Sequence, residues 1–197
     1  MKKFLALICF FSYLSHSQAA SIFDNIHEID KGKMIRSAQL TPVALEQLIQ
    51  KKNIKTIINL RGASEGEAWF DGEAAVAQKY NINFVNIPMD AMRIPLREDL
   101  LKLLEVYKAA PRPILIHCLR GVDRTGEAAA IYQMVYQNKS KAEALQMLSA
   151  KFFYIEDLVP AKYYFIDQVW QNEQWAYDQY KPCDNDYEFF DKRTLCR

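Results

Sequence analysis

One stretch constrains this chain more than any other: residues 113–126, Pro-Ile-Leu-Ile-His-Cys-Leu-Arg-Gly-Val-Asp-Arg-Thr-Gly. Ile114, Leu115 and Ile116 form a short continuous apolar run, the pattern of a strand covered on both faces in a parallel sheet. His117 and Cys118 fall at the carboxyl end of that strand, and Arg124-Thr125-Gly126 leads into a helical pattern over residues 127–137. A strand, a tight loop and a helix start in that order converge backbone N–H groups on one point, where the helix dipole adds positive potential. Leu119, Arg120, Gly121, Val122, Asp123 and Arg124 therefore form a loop of the size that wraps a tetrahedral anion.

The residue types within the loop select a chemistry. A cysteine at a helix N-terminus, beside the fixed charge of Arg124, is favoured as thiolate and becomes a nucleophile. Arg124 presents a planar fork to two phosphoryl oxygens, which Lys cannot do, and that contact tightens as charge builds in the transition state. Gly121 permits the sharp bend. Thr125 places a hydroxyl where it can stabilise the sulfur as a leaving group.

Residues 117–126 resemble the H-C-x-x-G-x-x-R-T-G signature of the cysteine-based protein tyrosine and dual-specificity phosphatases. Met34-Ile35-Arg36-Ser37-Ala38-Gln39 and Thr56-Ile57-Ile58-Asn59-Leu60-Arg61 are also similar to a small dual-specificity-like branch found in bacteria, fungi and plants. The resemblance spans residues 34–150. It implies an α/β fold with a central, mostly parallel sheet flanked by helices, and hydrolysis of phosphomonoesters through a phosphocysteine. Cys118 would attack phosphorus while Arg124 and the loop amides hold the equatorial oxygens. A carboxylic acid would then protonate the departing oxygen.

Two residues compete for that last role. Asp90 lies in a proline-framed loop, residues 88–95, after an expected strand, and the resemblance places the general acid on such a loop. The alternative reading of Asp90 is a turn cap. Asp123, immediately before Arg124, is the rival, because some relatives with Asp there lack a good acid elsewhere. It also reads as a loop brace, and a carboxylate this close to Cys118 opposes thiolate formation unless Arg120 or Arg124 neutralises it. His117 is expected to hydrogen-bond within the loop and tune Cys118.

Substrate class stays open among phosphorylated protein, phosphoinositide or inositol phosphate, and small phosphomonoester. Val122 stands where phosphoinositide-directed relatives often carry Lys. Arg120 partly restores the positive rim, with Arg93 and Arg97 as helpers. A phosphate-binding pseudoenzyme is the non-catalytic alternative.

With 197 residues, half of them hydrophobic, the chain can bury one good core. A formal charge of +1 gives no global attraction to nucleic acid. His27 and His117 belong to no His/Cys cluster of zinc spacing, so no metal and no other cofactor is implied.

The first 20 residues read as a signal peptide: a basic Met1-Lys2-Lys3, an apolar run over residues 4–14 and small residues before Ala20-Ser21. That run is shorter than the roughly 20 residues of a bilayer span, so the expectation is a secreted or periplasmic protein with no membrane span after cleavage. Domain boundaries follow, with a catalytic domain over residues 21–180 and a tail over residues 181–197. Loss of Cys9 leaves Cys118, Cys183 and Cys196, and pairing the last two would tie down the tail and keep Cys118 free.

Between these landmarks, residues 22–33 read as polar and turn-prone, and strands are expected over residues 34–37, 54–60 and 82–87. Thr41-Pro42 starts one helix, residues 67–80 form another, and Leu96, Leu100, Leu103, Leu104 and Tyr107 stripe a third. Ser140 to Glu143 is a capping box for a helix carrying Leu145 and Leu148, and residues 160–180 read as a last aromatic helix. Arg61 is expected to pair with Glu65 or to brace the anion loop.

Overall fold

The computed structural model describes residues 21–196, so the expected leader lies outside the described residues. Five short strands form one sheet: β1 (His27–Asp30), β2 (Met34–Ser37), β3 (Thr56–Asn59), β4 (Asn83–Asn86) and β5 (Ile114–His117), in the order β1-β2-β5-β3-β4. Only the β1–β2 pair is antiparallel; β5 pairs in parallel with β2 on one side and β3 on the other. The expected sheet is therefore present, with β5 at its centre. β1 is an addition, formed within a segment whose residue types had suggested only turns.

Side-chain alternation builds the two apolar layers. Met34, Ile58, Ile114 and Ile116 face the larger layer, whereas Ile35, Ile57 and Leu115 face the smaller. The smaller layer is covered by α1 (Pro42–Lys52) and α2 (Ala68–Lys79), the larger by α3 (Arg97–Ala109) and α4 (Asp123–Tyr136). Thr41 caps α1 as expected, its hydroxyl accepting from Ala44 N at 3.2 Å. The capping box at Ser140 also forms, but it starts only one turn, α5 (Lys141–Ala144), which tightens into a 3₁₀ segment at Leu145–Met147.

The last aromatic helix is not continuous. α6 (Pro160–Tyr164) runs into a π-helical stretch at Phe165–Val169, Trp170 turns extended, and Asn172 recaps α7 (Glu173–Asp178) by accepting from Trp175 N. Core packing explains the break. It lets Phe165, Trp170, Trp175 and Tyr180 all bury in one cluster, with neighbouring rings 5.1 to 6.4 Å apart, which a straight rod of this length would prevent. Beyond it, Cys183 is bonded to Cys196 across 13 residues, around α8 (Lys192–Leu195), and Cys118 is the free cysteine among the described residues. A loop of that length closed by a disulfide contributes about 3 kcal/mol. Among the described residues no helix is long and apolar enough to cross a membrane.

Candidate active site

β5 delivers His117 and Cys118 to the carboxyl edge of the sheet, and the loop from Leu119 to Val122 turns back into α4. Its carbonyl oxygens are held from outside the turn. Leu119 O accepts from Gln39 N at 3.2 Å. Asn25 Nδ2 lies 3.2 Å from Arg120 O and 3.0 Å from Gly121 O, and Arg36 Nη2 donates to Gly121 O at 2.6 Å and Val122 O at 3.4 Å. In a planar trans peptide the C=O and the following N–H point in opposite directions. With their carbonyls drawn to β2, to Gln39 just after it and to Asn25 before β1, the N–H groups of residues 120–123 face the other way.

Arg36 makes this possible. It is fully buried, donates also to Met147 O at 2.8 Å, and stacks on Phe152 with its guanidinium 3.9 Å from the ring centre. Burial lowers its pKa to about 10, which leaves it a cation at neutral pH. Gly121 has φ +67°, and a Cβ there would lie 2.5 Å from the Ser37 carbonyl carbon and oxygen. Only glycine lets the loop lie this close to β2.

Of the predicted residues, Cys118, Asp123 and Arg124 are brought together. The buried Cys118 Sγ lies 3.4 Å from Asp123 Oδ1, which also accepts from Arg124 N at 2.5 Å and lies 3.6 Å from Arg124 Nε. The Arg124 guanidinium reaches Leu60 O and Met89 O, both at 3.4 Å, beyond the ends of β3 and β4. Thr125 is buried, and its hydroxyl has no hydrogen-bond partner among the described residues. Leu119 and Arg120 are exposed at the rim.

Asp90 sits differently. Its carboxylate is about half exposed, accepts from Met92 N at 2.7 Å and lies 3.9 Å from Arg93. Only the preceding carbonyl, Met89 O, meets Arg124. Arg97 leaves the expected positive rim altogether, because its guanidinium donates to Tyr177 O. Arg61 stacks on Trp69, 3.3 Å from the ring centre, and donates to Gln39 Oε1 rather than pairing with Glu65. Burial and the neighbouring Arg124 charge push its pKa down.

Several site residues had no distinct signal in the sequence. Glu73, buried in α2, places Oε1 2.7 Å from His117 Nε2 and accepts from Gln39 Nε2 through Oε2 at 2.9 Å. On the other flank Glu127 and Lys162, both fully buried, meet at 2.9 Å, and Lys162 Nζ also donates to Arg93 O at 2.6 Å. Helical periodicity marks Glu73 and Glu127 only as polar interruptions of an apolar face.

A mostly parallel sheet with such a loop at its centre is the fold of the protein tyrosine and dual-specificity phosphatases, and solved structures of that class match it. The family described as "DSP-PTPase phosphatase fused to NAD+ Kinase" matches residues 7–159, and the chain belongs to this family. Dual specificity protein phosphatase TpbA of Pseudomonas aeruginosa is 34% identical over 112 residues, 56% of this chain and 47% of that protein. The match thus spans about half the length of the curated relative. The crystal structure of P. aeruginosa TpbA in complex with pTyr superposes with a TM-score of 0.61 at 25% identity, over 77% of this chain and 88% of that one. The core catalytic domain of the PP-IP phosphatase SIW14 from S. cerevisiae, solved with citrate, shares the fold with a TM-score of 0.62 at 24% identity, over 76% of this chain and 87% of that one.

Proposed function

We propose that this protein is a cysteine-dependent phosphatase that hydrolyses phosphomonoesters, with phosphotyrosine in proteins as its first substrate class. The observation that carries the reading is the outward anchoring of the loop carbonyls by Asn25 and Arg36. With those carbonyls held, the N–H groups that follow them point the opposite way and stay free of the chain's own acceptors among the described residues, as binding of a phosphoryl dianion requires. The substrate class is supported by the fold shared with TpbA, which was crystallised with pTyr.

In the proposed cycle the Cys118 thiol proton passes to Asp123 along their 3.4 Å contact, giving thiolate and a neutral carboxylic acid. Sulfur attacks phosphorus while Arg124 and the amides hold the equatorial oxygens. An incoming phosphoryl oxygen takes the Arg124 N–H from Asp123, freeing that acid to swing toward the ester oxygen. The P–O bond breaks and the leaving oxygen takes the Asp123 proton. Water then attacks the phosphocysteine, its proton returns to Asp123, and the S–P bond breaks to release phosphate. Asp90 is the second reading for the acid, favoured by its exposed position one residue beyond a carbonyl that touches Arg124. Export to the periplasm or cell exterior completes the proposal, supported by the leader pattern of residues 1–20.

The test is phosphate release from an aryl phosphate and from a phosphotyrosine peptide, with vanadate as inhibitor. Cys118→Ser should lower turnover by roughly 10⁴-fold or more while still binding phosphate. Turnover that survives this substitution would refute the covalent route.

A further inference from the structure

The Asn25 side chain has its two ends in opposite surroundings. Around Nδ2 lie three carbonyl oxygens, those of Arg120 at 3.2 Å, Gly121 at 3.0 Å and Phe152 at 3.3 Å. An oxygen in place of that nitrogen would face three acceptors, so the amide can meet the loop in one orientation only. Oδ1 then points to His27 Nε2, 3.0 Å away. An amide oxygen has no proton to give, so the histidine donates, as both the neutral ring protonated at Nε2 and the imidazolium can. Asn25 is only 2% exposed, so solvent does not take the place of that donor. The imidazole is held in turn, edge-on against Phe152 with centroids 4.8 Å apart, the same ring on which Arg36 stacks. The Asn25 backbone is pinned as well. Its φ is +48°, a conformation Asn adopts more readily than most residues, and its N–H donates to Ile22 O at 3.3 Å.

We infer that His27 is a positioning residue for the anion loop: it fixes the Asn25 amide with its nitrogen toward the loop, and so keeps the Arg120 and Gly121 carbonyls turned away from a bound phosphoryl group. His27 makes no hydrogen bond to the loop among the described residues; it acts through Asn25. The consequence for phosphate affinity rests on the phosphatase reading, whereas the proton on Nε2 follows from the hydrogen-bond geometry alone. The expected loss is graded. Gly121 O keeps its bond from Arg36 Nη2 when Asn25 lets go, whereas Arg120 O has no other donor among the described residues.

Binding of inorganic phosphate, read by calorimetry, tests the route. His27→Phe keeps an aromatic ring against Phe152 and removes the donor, and it should weaken phosphate about tenfold, the size of one buried hydrogen bond. Asn25→Ala should weaken it at least as much. Adding His27→Phe to Asn25→Ala should cost nothing more, because the histidine then has no amide to hold. Unchanged affinity in His27→Phe would overturn the inference. So would losses that simply add in the double variant, since a merely structural histidine acts the same with or without Asn25. Where a variant does not fold, the unaltered chain decides: long-range ¹H–¹⁵N spectra at pH 7.5 should show His27 Nε2 protonated, and a bare Nε2 overturns the inference. A chain with that proton in place that neither binds nor releases phosphate would sink the phosphatase reading and leave the lock on Asn25 standing.

Discussion

The two loops that bring a carboxylate to the site are held in opposite ways. From Leu119 to Val122 every carbonyl is tied to another part of the chain, by Gln39, Asn25 or Arg36, and Gly121 lies hard against β2. The loop over residues 88–95 is anchored on either side of Asp90 and not at it: Arg124 reaches Met89 O, Lys162 holds Arg93 O, Phe189 O accepts from Ile94 N and Tyr180 holds Pro95 O. Its Asp90 is bonded only to Met92 N, two residues on. Asp123 is thus placed by the tertiary structure and Asp90 by its own turn. A general acid must meet a developing charge within hydrogen-bond reach, and in the proposed cycle that requirement favours Asp123 over Asp90.

That ranking breaks most readily by substitution. On a substrate with a poor leaving group, Asp123→Asn should lower kcat by roughly 10²- to 10³-fold, the range of a lost general acid, while Asp90→Asn should lower it less than about tenfold. With a good leaving group both losses should shrink. The reverse order of effects would hand the role to Asp90 and show that the exposed loop closes on substrate. Equal and small effects would remove both from proton transfer.

A second contrast lies in what supports each loop, and Arg36→Met tests it. Removing the buried guanidinium leaves the Gly121, Val122 and Met147 carbonyls without that donor, at a cost of about 3 kcal/mol to folding. Arg36→Met should therefore lower the urea midpoint and, in the protein that remains folded, weaken phosphate binding. Stability lost with phosphate affinity unchanged would mean that the loop keeps its shape without the arginine.

The parts of this arrangement that were legible in the sequence are local ones. Residues 113–126 carry strand, loop and helix in one continuous run, and Thr41 and Ser140 bond within three residues of themselves, so residue type alone predicts them. The supports of the site were not legible, because each joins residues far apart in the chain. Arg36 reaches 85 residues to Gly121, Asn25 reaches 96, and Glu73 meets a histidine on another element. A lone glutamate on a helix looks the same from the sequence whether it faces water or an imidazole. The break at Trp170 was hidden for a related reason: the aromatic residues of residues 160–180 fit a helical period, and only the position of the core shows that they must fold back.

The smallest expected effect concerns the strut between the two loops. Glu127 sits in the first half of α4, just beyond Asp123, and Lys162 joins it to Arg93 O in the Asp90 loop. Burial pushes the Glu127 carboxyl up to about 7, with Lys162 opposing the shift and the nearby Asp123 charge adding to it. An unfolded glutamate titrates near 4.3. Between those values the folded chain holds more protons than the unfolded one, so this group makes stability fall as pH rises from about 4.5 to 7. Its contribution to the slope is at most roughly 1 kcal/mol per pH unit. Urea midpoints measured from pH 5 to 7.5 should decline more steeply in the unaltered chain than in Glu127→Gln, which mimics the protonated carboxyl, so that the two separate as pH rises. An identical slope in both would mean that Lys162 keeps the carboxylate ionised throughout, and the strut would then join the loops as a permanent ion pair.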